Sequence, residues 1–461
     1  MKKDKKNYLL AILSLCFFGF VILSWWLLFR DQRALKGFES LYPFLSGSLF
    51  SIRATLLNYS LNVLPTFLFL VMAITSFIAY YLSLKQKYSV NKVIIWSVIF
   101  QVIIFFSYPV LSTDIFSYTF SSRVATQHSQ NKWLVTPDNF PDDHFEQFAD
   151  WKDKTNVYGY VNHIVYLPAD YFGLDDVFTT VLLYKLTAAI FSLATIYLLF
   201  NLLQKESANK KEYYLKLILW NPLFLLELLG SGHNDILLIF FVLLSLILWN
   251  KKNWIMAGIV LAFSVQVKLI AVIFFGFFAV KLFQEKKFVD LFKYSFSFLI
   301  VNILSFTLMQ ISPLTFIQRV FLNTHSYWQS LPGLVVNFTN ISVSFTLLFA
   351  IIGLLIVSLQ LKYKFSPIYS SAISILFYLL FFTAAYWNWY VLWVFVFIPF
   401  IKNSNLKNSI ILFTFTSLLA YPLLWFSHRF GFGNPVWEPI QYIWIFVVPI
   451  SYYLYNQLLK K

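Results

Sequence analysis

Apolar runs of about twenty residues recur from one end of this chain to the other, and a run of that length has few folds open to it. In lipid every backbone N–H and C=O must be satisfied within the protein, which leaves helices and closed barrels. The runs are continuous rather than alternating, so helices are expected. Of 461 residues, 59% are hydrophobic and 12% charged, against about 45–50% and 25% in soluble domains. The reading is an all-α polytopic integral membrane protein of about 12–14 transmembrane helices. The windows lie near residues 9–29, 62–84, 93–111, 177–203, 214–230, 235–250, 254–267, 269–284, 292–311, 337–360, 367–385, 389–401, 408–427 and 439–458. Two places leave the number open. The stretch from Trp254 to Phe283 is broken only by Gln266 and Lys268, and Tyr386 to Phe400 is short for a span.

Orientation follows from the lysines. Lys2, Lys3, Lys5 and Lys6 precede the first span and place the amino terminus in the cytoplasm. Each later inside loop is then basic, from Lys85, Lys87 and Lys92 through Lys251 and Lys252 to Lys460 and Lys461, which puts the carboxyl terminus in the cytoplasm too. Arg30, Arg33, Lys36 and Arg53 run against this pattern and suit an amphipathic stretch on the membrane surface. The net charge of +15 is thus explained by membrane lipids, and no basic stripe points to nucleic acid. The single cysteine, Cys16, sits inside the first span and has no intramolecular disulfide partner. That span has no small-residue cleavage site after it and reads as an uncleaved helix. No internal repeat or separate soluble domain is visible, so residues 1–461 are expected to form one membrane domain.

The acids gather where the spans pause. Ten of the 20 Asp and Glu residues fall in the outer segment 112–176, a connection too long to be only a connection. Aromatics punctuate it throughout. Ser112 or Thr113 can cap a helix from Asp114 to about Gln127, with Asp114 in its first turn and Ser117, Tyr118 and Ser121 on its face. A helix lying on the membrane and presenting a carboxylate and hydroxyls is the expectation. Asp114 also suits a helix amino terminus for purely electrostatic reasons.

Asp114-Ile115, Tyr118, Arg123, Asn131-Lys132-Trp133 and Pro137 resemble the first outer loop of GT-C class polytopic glycosyltransferases, particularly those dependent on polyprenyl-phosphate-mannose. There the loop reads roughly Asp-Ile-x-x-Tyr, an Arg, then Gly-x-Asn-Pro-Tyr and a Pro. Tyr158-Gly159-Tyr160 is similar to that group's Tyr-Gly-Pro segment, and Gly232-His233-Asn234-Asp235 to its Gly-His-Asn-Asp turn. Lys268 and Trp387-Asn388-Trp389-Tyr390 with Trp393 fit the layout as well. Ser129 stands for the Gly, Lys132 and Trp133 for Pro-Tyr, and Tyr160 for the Pro, departures that bear on sugar specificity. The resemblance implies a GT-C-like fold with its catalytic site on the outer face of the cell membrane. It implies transfer of a hexose, mannose in the first instance, from a polyprenyl-phosphate-linked sugar to a glycan, glycolipid or protein acceptor. Asp114 would be the base in a single displacement with inversion.

The chemistry fits the residues available. A leaving phosphate needs little help from a proton donor, so one base and some cationic or amide donors suffice; a glycosidase would want two cooperating carboxylates. Lys268 and Arg123 are candidates to hold the donor phosphate, with Arg429 a third. The first two have a plainer reading: snorkelling for Lys268, and a loop-ordering ion pair for Arg123. Tyr118, Tyr158, His233, Asn234, Asp235, Trp387, Trp389 and Tyr390 are candidate substrate contacts. The glycines before His233 also end a helix that Asn234 or Asp235 restarts, and the tryptophans suit interfacial anchoring. Glu227 is expected to pair with Lys185 or Lys268. No cofactor motif is present, and a divalent metal at Asp114, His233 and Asp235 is left open because no ligand spacing specifies one. The rival class is a transporter or flippase, which would favour paired interrupted helices in two halves. A sugar-polymer ligase with a lipid diphosphate donor is a further alternative.

Overall fold

A computed structural model describes residues 2–28, 63–321, 330–333, 345–383, 385–429 and 437–459. Arg30, Arg33, Lys36 and Arg53 lie outside these residues. The described chain is helical and folds as two compact units, Met1–Ile236 with Met309–Ile311, and Leu237–Leu308 with Ser312–Lys461.

The first unit contains α1 (Lys2–Leu28), α2 (Val63–Leu84), α3 (Val90–Phe105), α4 (Asp114–Thr126), α5 (Tyr160–Phe172), α6 (Val177–Leu202), α7 (Ala208–Leu219) and the short α8 (Pro222–Leu225). Helix α1 packs along α2 and α3, and α4 packs on both α5 and α6. The second unit begins in α9 (Asp235–Asn250) and continues through α10 (Trp254–Val267), α11 (Val272–Gln284), α12 (Phe288–Met309), α13 (Pro313–Phe321), α14 (Phe345–Tyr363), α15 (Pro367–Phe381), α16 (Leu392–Phe395), α17 (Ser404–Arg429) and α18 (Trp437–Leu458). There α17 packs along α18, and α11 along α15.

Among the described residues five helices are long and apolar enough to cross a membrane, in α1, α2, α6, α12 and α17. A sixth candidate is the broken pair Pro222–Gly230 and Asp235–Asn250. Five shorter apolar helices accompany them, including Trp254–Val267 and Leu269–Gln284. The protein is an all-α, multi-pass membrane protein.

Several expected spans are interrupted, and the reasons are local. The run 214–230 breaks at Trp220, where Asn221 caps a new turn by accepting from the Leu223 and Phe224 N–H groups and Pro222 starts it. Residues 388–400 form no single helix but three short turns, Asn388–Val391, Leu392–Phe395 and Ile398–Phe400. Every residue from Val391 to Ile398 is buried, so this run is apolar because it packs against protein on all sides. The break at Lys268 is as expected: α10 ends at Val267 and Lys268 is extended, with φ −145° and ψ 129°.

Candidate active site

Helix α4 begins at Asp114 and runs to Thr126, close to its expected bounds. Its cap differs from expectation. The Thr113 hydroxyl turns to the Asp150 carboxylate rather than to the helix, and Ser112 Oγ accepts from the Asp114 N–H at 3.3 Å. Helix α4 is packed against protein over much of its surface. Ile115, Phe116, Tyr118, Thr119, Phe120, Ser122 and Val124 are buried, because α4 is pinned between α5, α6 and its own loop. Ser117 Oγ receives the N–H groups of Asp150 and Trp151, at 3.2 and 3.5 Å.

That folding-back places a donor on the carboxylate. Asp114 Oδ1 accepts from Trp151 Nε1 at 3.0 Å, and Oδ2 lies 3.3 Å from the Tyr118 hydroxyl. The Asp114 side chain is 19% exposed, so it is held by neighbours yet open to a substrate. The Tyr118 hydroxyl is also 3.3 Å from His233 Nδ1. Burial, with Tyr158, Asp114 and Asp235 nearby, pushes the Tyr118 phenol well up, which keeps it neutral.

The Gly-His-Asn-Asp turn packs on α4 at Ile115. A π turn, Leu226–Gly230, precedes it, and such turns re-aim side chains where an ordinary helix would not. Gly232 has φ +70°, and a Cβ there would come within 2.5 Å of Ile115 Cδ1; the turn needs glycine both for its backbone and for its approach to α4. His233, Asn234 and Asp235 are fully buried. His233 Nδ1 is 4.0 Å from Asp114 Oδ2 and 4.0 Å from Asp235 Oδ2, and its Nε2 is 3.3 Å from Glu227 Oε2. Asn234 donates to Asn162 of α5 at 3.1 Å. Tyr158 packs edge-on against Tyr118 with ring centroids 5.1 Å apart. Asp114, Tyr118, Tyr158, His233, Asn234 and Asp235 are therefore brought together. Among the described residues, no group of three or more His, Cys, Asp or Glu side chains is arranged to hold a metal ion.

The other candidates have surroundings of their own. Arg123 bonds Asp143 through Nε at 2.6 Å, pairs with Asp175 and stacks over the Phe145 ring at 4.3 Å. Its guanidinium orders the loop, the plainer of the two expected roles. Lys268 lies in the second unit, its ammonium 5.5 Å from the Tyr390 ring centroid and 5.6 Å from that of Trp393. Trp387 stacks on Trp389, and Tyr390 on Trp393 at 4.0 Å. Arg429 is the last residue of α17, and its side chain is outside the described residues.

Three features escaped the sequence. Trp151 is 37 positions from Asp114, and nothing in its surroundings marks it. Glu227 lies against His233, a neighbour the sequence did not name, and the Lys185 ammonium bonds the Ser107 carbonyl. Lys132, read only as a departure from a motif, is buried with its Nζ 3.2 Å from His163 Nδ1. Burial holds its ammonium below the usual lysine range, with Asp170 countering; burial likewise lifts the Asp170 carboxyl.

The chain matches the family model described as alpha-(1->6)-mannopyranosyltransferase, N-terminal domain, over residues 42–284. No curated protein matches it individually. The matched region spans Asp114, Tyr118, Tyr158, the Gly232–Asp235 turn and Lys268, and it covers more than half of the 461 residues. The chain belongs to the alpha-(1->6)-mannopyranosyltransferase family and is a multi-pass membrane mannosyltransferase.

Proposed function

We propose that the protein moves mannose from a polyprenyl-phosphate donor to a cell-envelope acceptor on the outer face of the membrane, in one displacement that inverts the sugar carbon. The observation that carries this reading is the Asp114 carboxylate. It is partly exposed, heads a helix in the acidic outer segment, and is fixed by Trp151 on one oxygen and Tyr118 on the other. A single oriented carboxylate is what a displacement with a phosphate leaving group requires. Asp114 removes the acceptor hydroxyl proton as the new C–O bond forms, and the old bond's electron pair leaves on the lipid phosphate. Lys268, in the second unit, set at a helix break and faced by aromatic rings, is suited to bind a lipid phosphate, since a cation within a membrane segment is costly unless it is used. Tyr158, His233, Asn234 and Asp235 line the polar side of the site; in the second unit the indoles of Trp387 and Trp389, with Tyr390, are candidates to stack on sugar or isoprenoid.

Purified protein in liposomes, given β-linked polyprenyl-phosphate-mannose or GDP-mannose with an alkyl α-mannoside as acceptor, tests the reading. An α-linked product from the lipid donor is expected. Use of the nucleotide sugar with the lipid donor untouched, or retention of the β configuration, would contradict it.

A further inference from the structure

A base needs an orienting donor, yet the side of Asp114 facing the protein continues into a line of groups that orientation alone does not require. Asp114 Oδ2 and His233 Nδ1 each stand 3.3 Å from one phenolic oxygen, that of Tyr118. Behind His233, the Glu227 carboxylate is 3.3 Å from Nε2, and neither residue has any exposed side-chain surface. The Nε2 N–H is not aligned on the oxygen in this structure, and such contacts commonly tighten in the substrate complex. The π turn Leu226–Gly230 aims Glu227 this way, and the His233 N–H closes the turn on the Glu227 carbonyl at 3.3 Å.

We propose that Glu227 is a positioning residue for sugar transfer: it holds His233 as the Nε2–H tautomer, which leaves Nδ1 bare to take the Tyr118 proton once Asp114 is protonated, so that the line Asp114, Tyr118, His233 carries the acceptor's proton away from the reacting atoms. The inference rests on Asp114 being the base. The acceptor O–H breaks as its oxygen bonds the sugar carbon, and its proton goes to Asp114 Oδ2. That proton passes to the Tyr118 oxygen as the Tyr118 proton passes to His233 Nδ1. The result is an imidazolium between the Glu227 carboxylate at Nε2 and the Asp235 carboxylate, 4.0 Å from Nδ1. Asp114 returns to its basic form without releasing the proton beside the new glycosidic oxygen. A carboxylate that fixes a histidine's tautomer and stabilises its charged form is a known physical device.

Two measurements on the full-length chain in bilayers test this. The first reads the tautomer by solid-state NMR with isotope-labelled histidine, assigning His233 by its loss in His233→Gln. A protonated Nε2 and bare Nδ1 are expected in the wild-type protein, and any other state overturns the inference without reference to activity. The second is kinetic. Glu227→Gln, which keeps the shape and removes the charge, is expected to lower kcat about 10- to 100-fold with KM for the lipid donor unchanged, and Glu227→Asp to recover part of it. If the wild type transfers mannose, Asp114→Asn does not, and Glu227→Gln matches the wild type, the relay is wrong while the base stands. A wild-type protein inert toward the lipid donor sinks the reading of Asp114, and the relay with it.

Discussion

At the residue scale the site turns on what holds one carboxylate. The two oxygens of Asp114 meet different donors, an indole N–H from the returning loop and a phenol from the next turn of its own helix. A hydrogen bond to a charged group contributes about 1.5–3 kcal/mol, enough to decide which way an otherwise free carboxylate points. Trp151→Phe keeps an aromatic ring and removes the donor, so kcat for mannosyl transfer is expected to fall about tenfold with the fold intact, as a thermal melt would confirm. An unchanged kcat would mean the indole does not orient the base. Asp114 was legible from sequence because a carboxylate, hydroxyls before it and a tyrosine one turn on make a local pattern. Trp151 and Glu227 were not, because their partners are brought to them by the fold and no spacing records that. Charge complementarity offered Lys185 to Glu227, and the fold sets its ammonium on the backbone carbonyl of Ser107.

At the scale of elements, the segment 112–176 is a small fold of its own making. Asp143 ties Arg123 and His128 together at 2.6 and 2.7 Å, Lys152 bonds Glu146 at 2.7 Å, and Trp133 Nε1 donates to the Tyr158 carbonyl at 2.7 Å. Ser129 has φ +52°, a left-handed turn that a residue other than glycine adopts at some cost in strain. Burial and the Lys132 ammonium hold His163 down to about 3 in the folded loop, from 6.5. Between those values the unfolded chain binds the proton more readily, so this group withdraws stability as pH falls from 6.5 toward 3. Asp170 is lifted by burial and acts in the opposite sense over an overlapping range, so the two offset each other in the wild type. His163→Asn leaves one of them. Relative to wild type the variant should gain stability against urea as pH is lowered through that window, by about 1 kcal/mol per pH unit, read by protease cleavage of the loop. A constant difference across pH would show that His163 titrates normally. Helix α4 was legible in its bounds, while its packing was not: Ile115, Phe116 and Phe120 needed cover, and α5 and α6 supply it.

At the scale of the whole molecule, composition and run length were sufficient for an all-α, multi-pass membrane protein, because lipid leaves the backbone so little choice. They were less informative about which runs span. Hydropathy cannot tell a segment facing lipid from one buried in protein, and the stretch from Val391 to Ile398 is the second kind. The broken segments at Trp220, Gly230 and Lys268 share a cause, a polar residue or glycine that ends one helix and lets another begin, and two of the three border candidate site residues. Family membership makes the molecule a mannosyltransferase; our proposal adds that one aspartate does the proton chemistry. The most direct test compares purified wild-type protein with Asp114→Asn, both shown to be folded, for transfer of labelled mannose from polyprenyl-phosphate-mannose to an alkyl mannoside. Robust transfer by the wild type and a loss of about 10²–10⁴-fold in the variant are predicted, and near-normal transfer by Asp114→Asn would contradict the assignment.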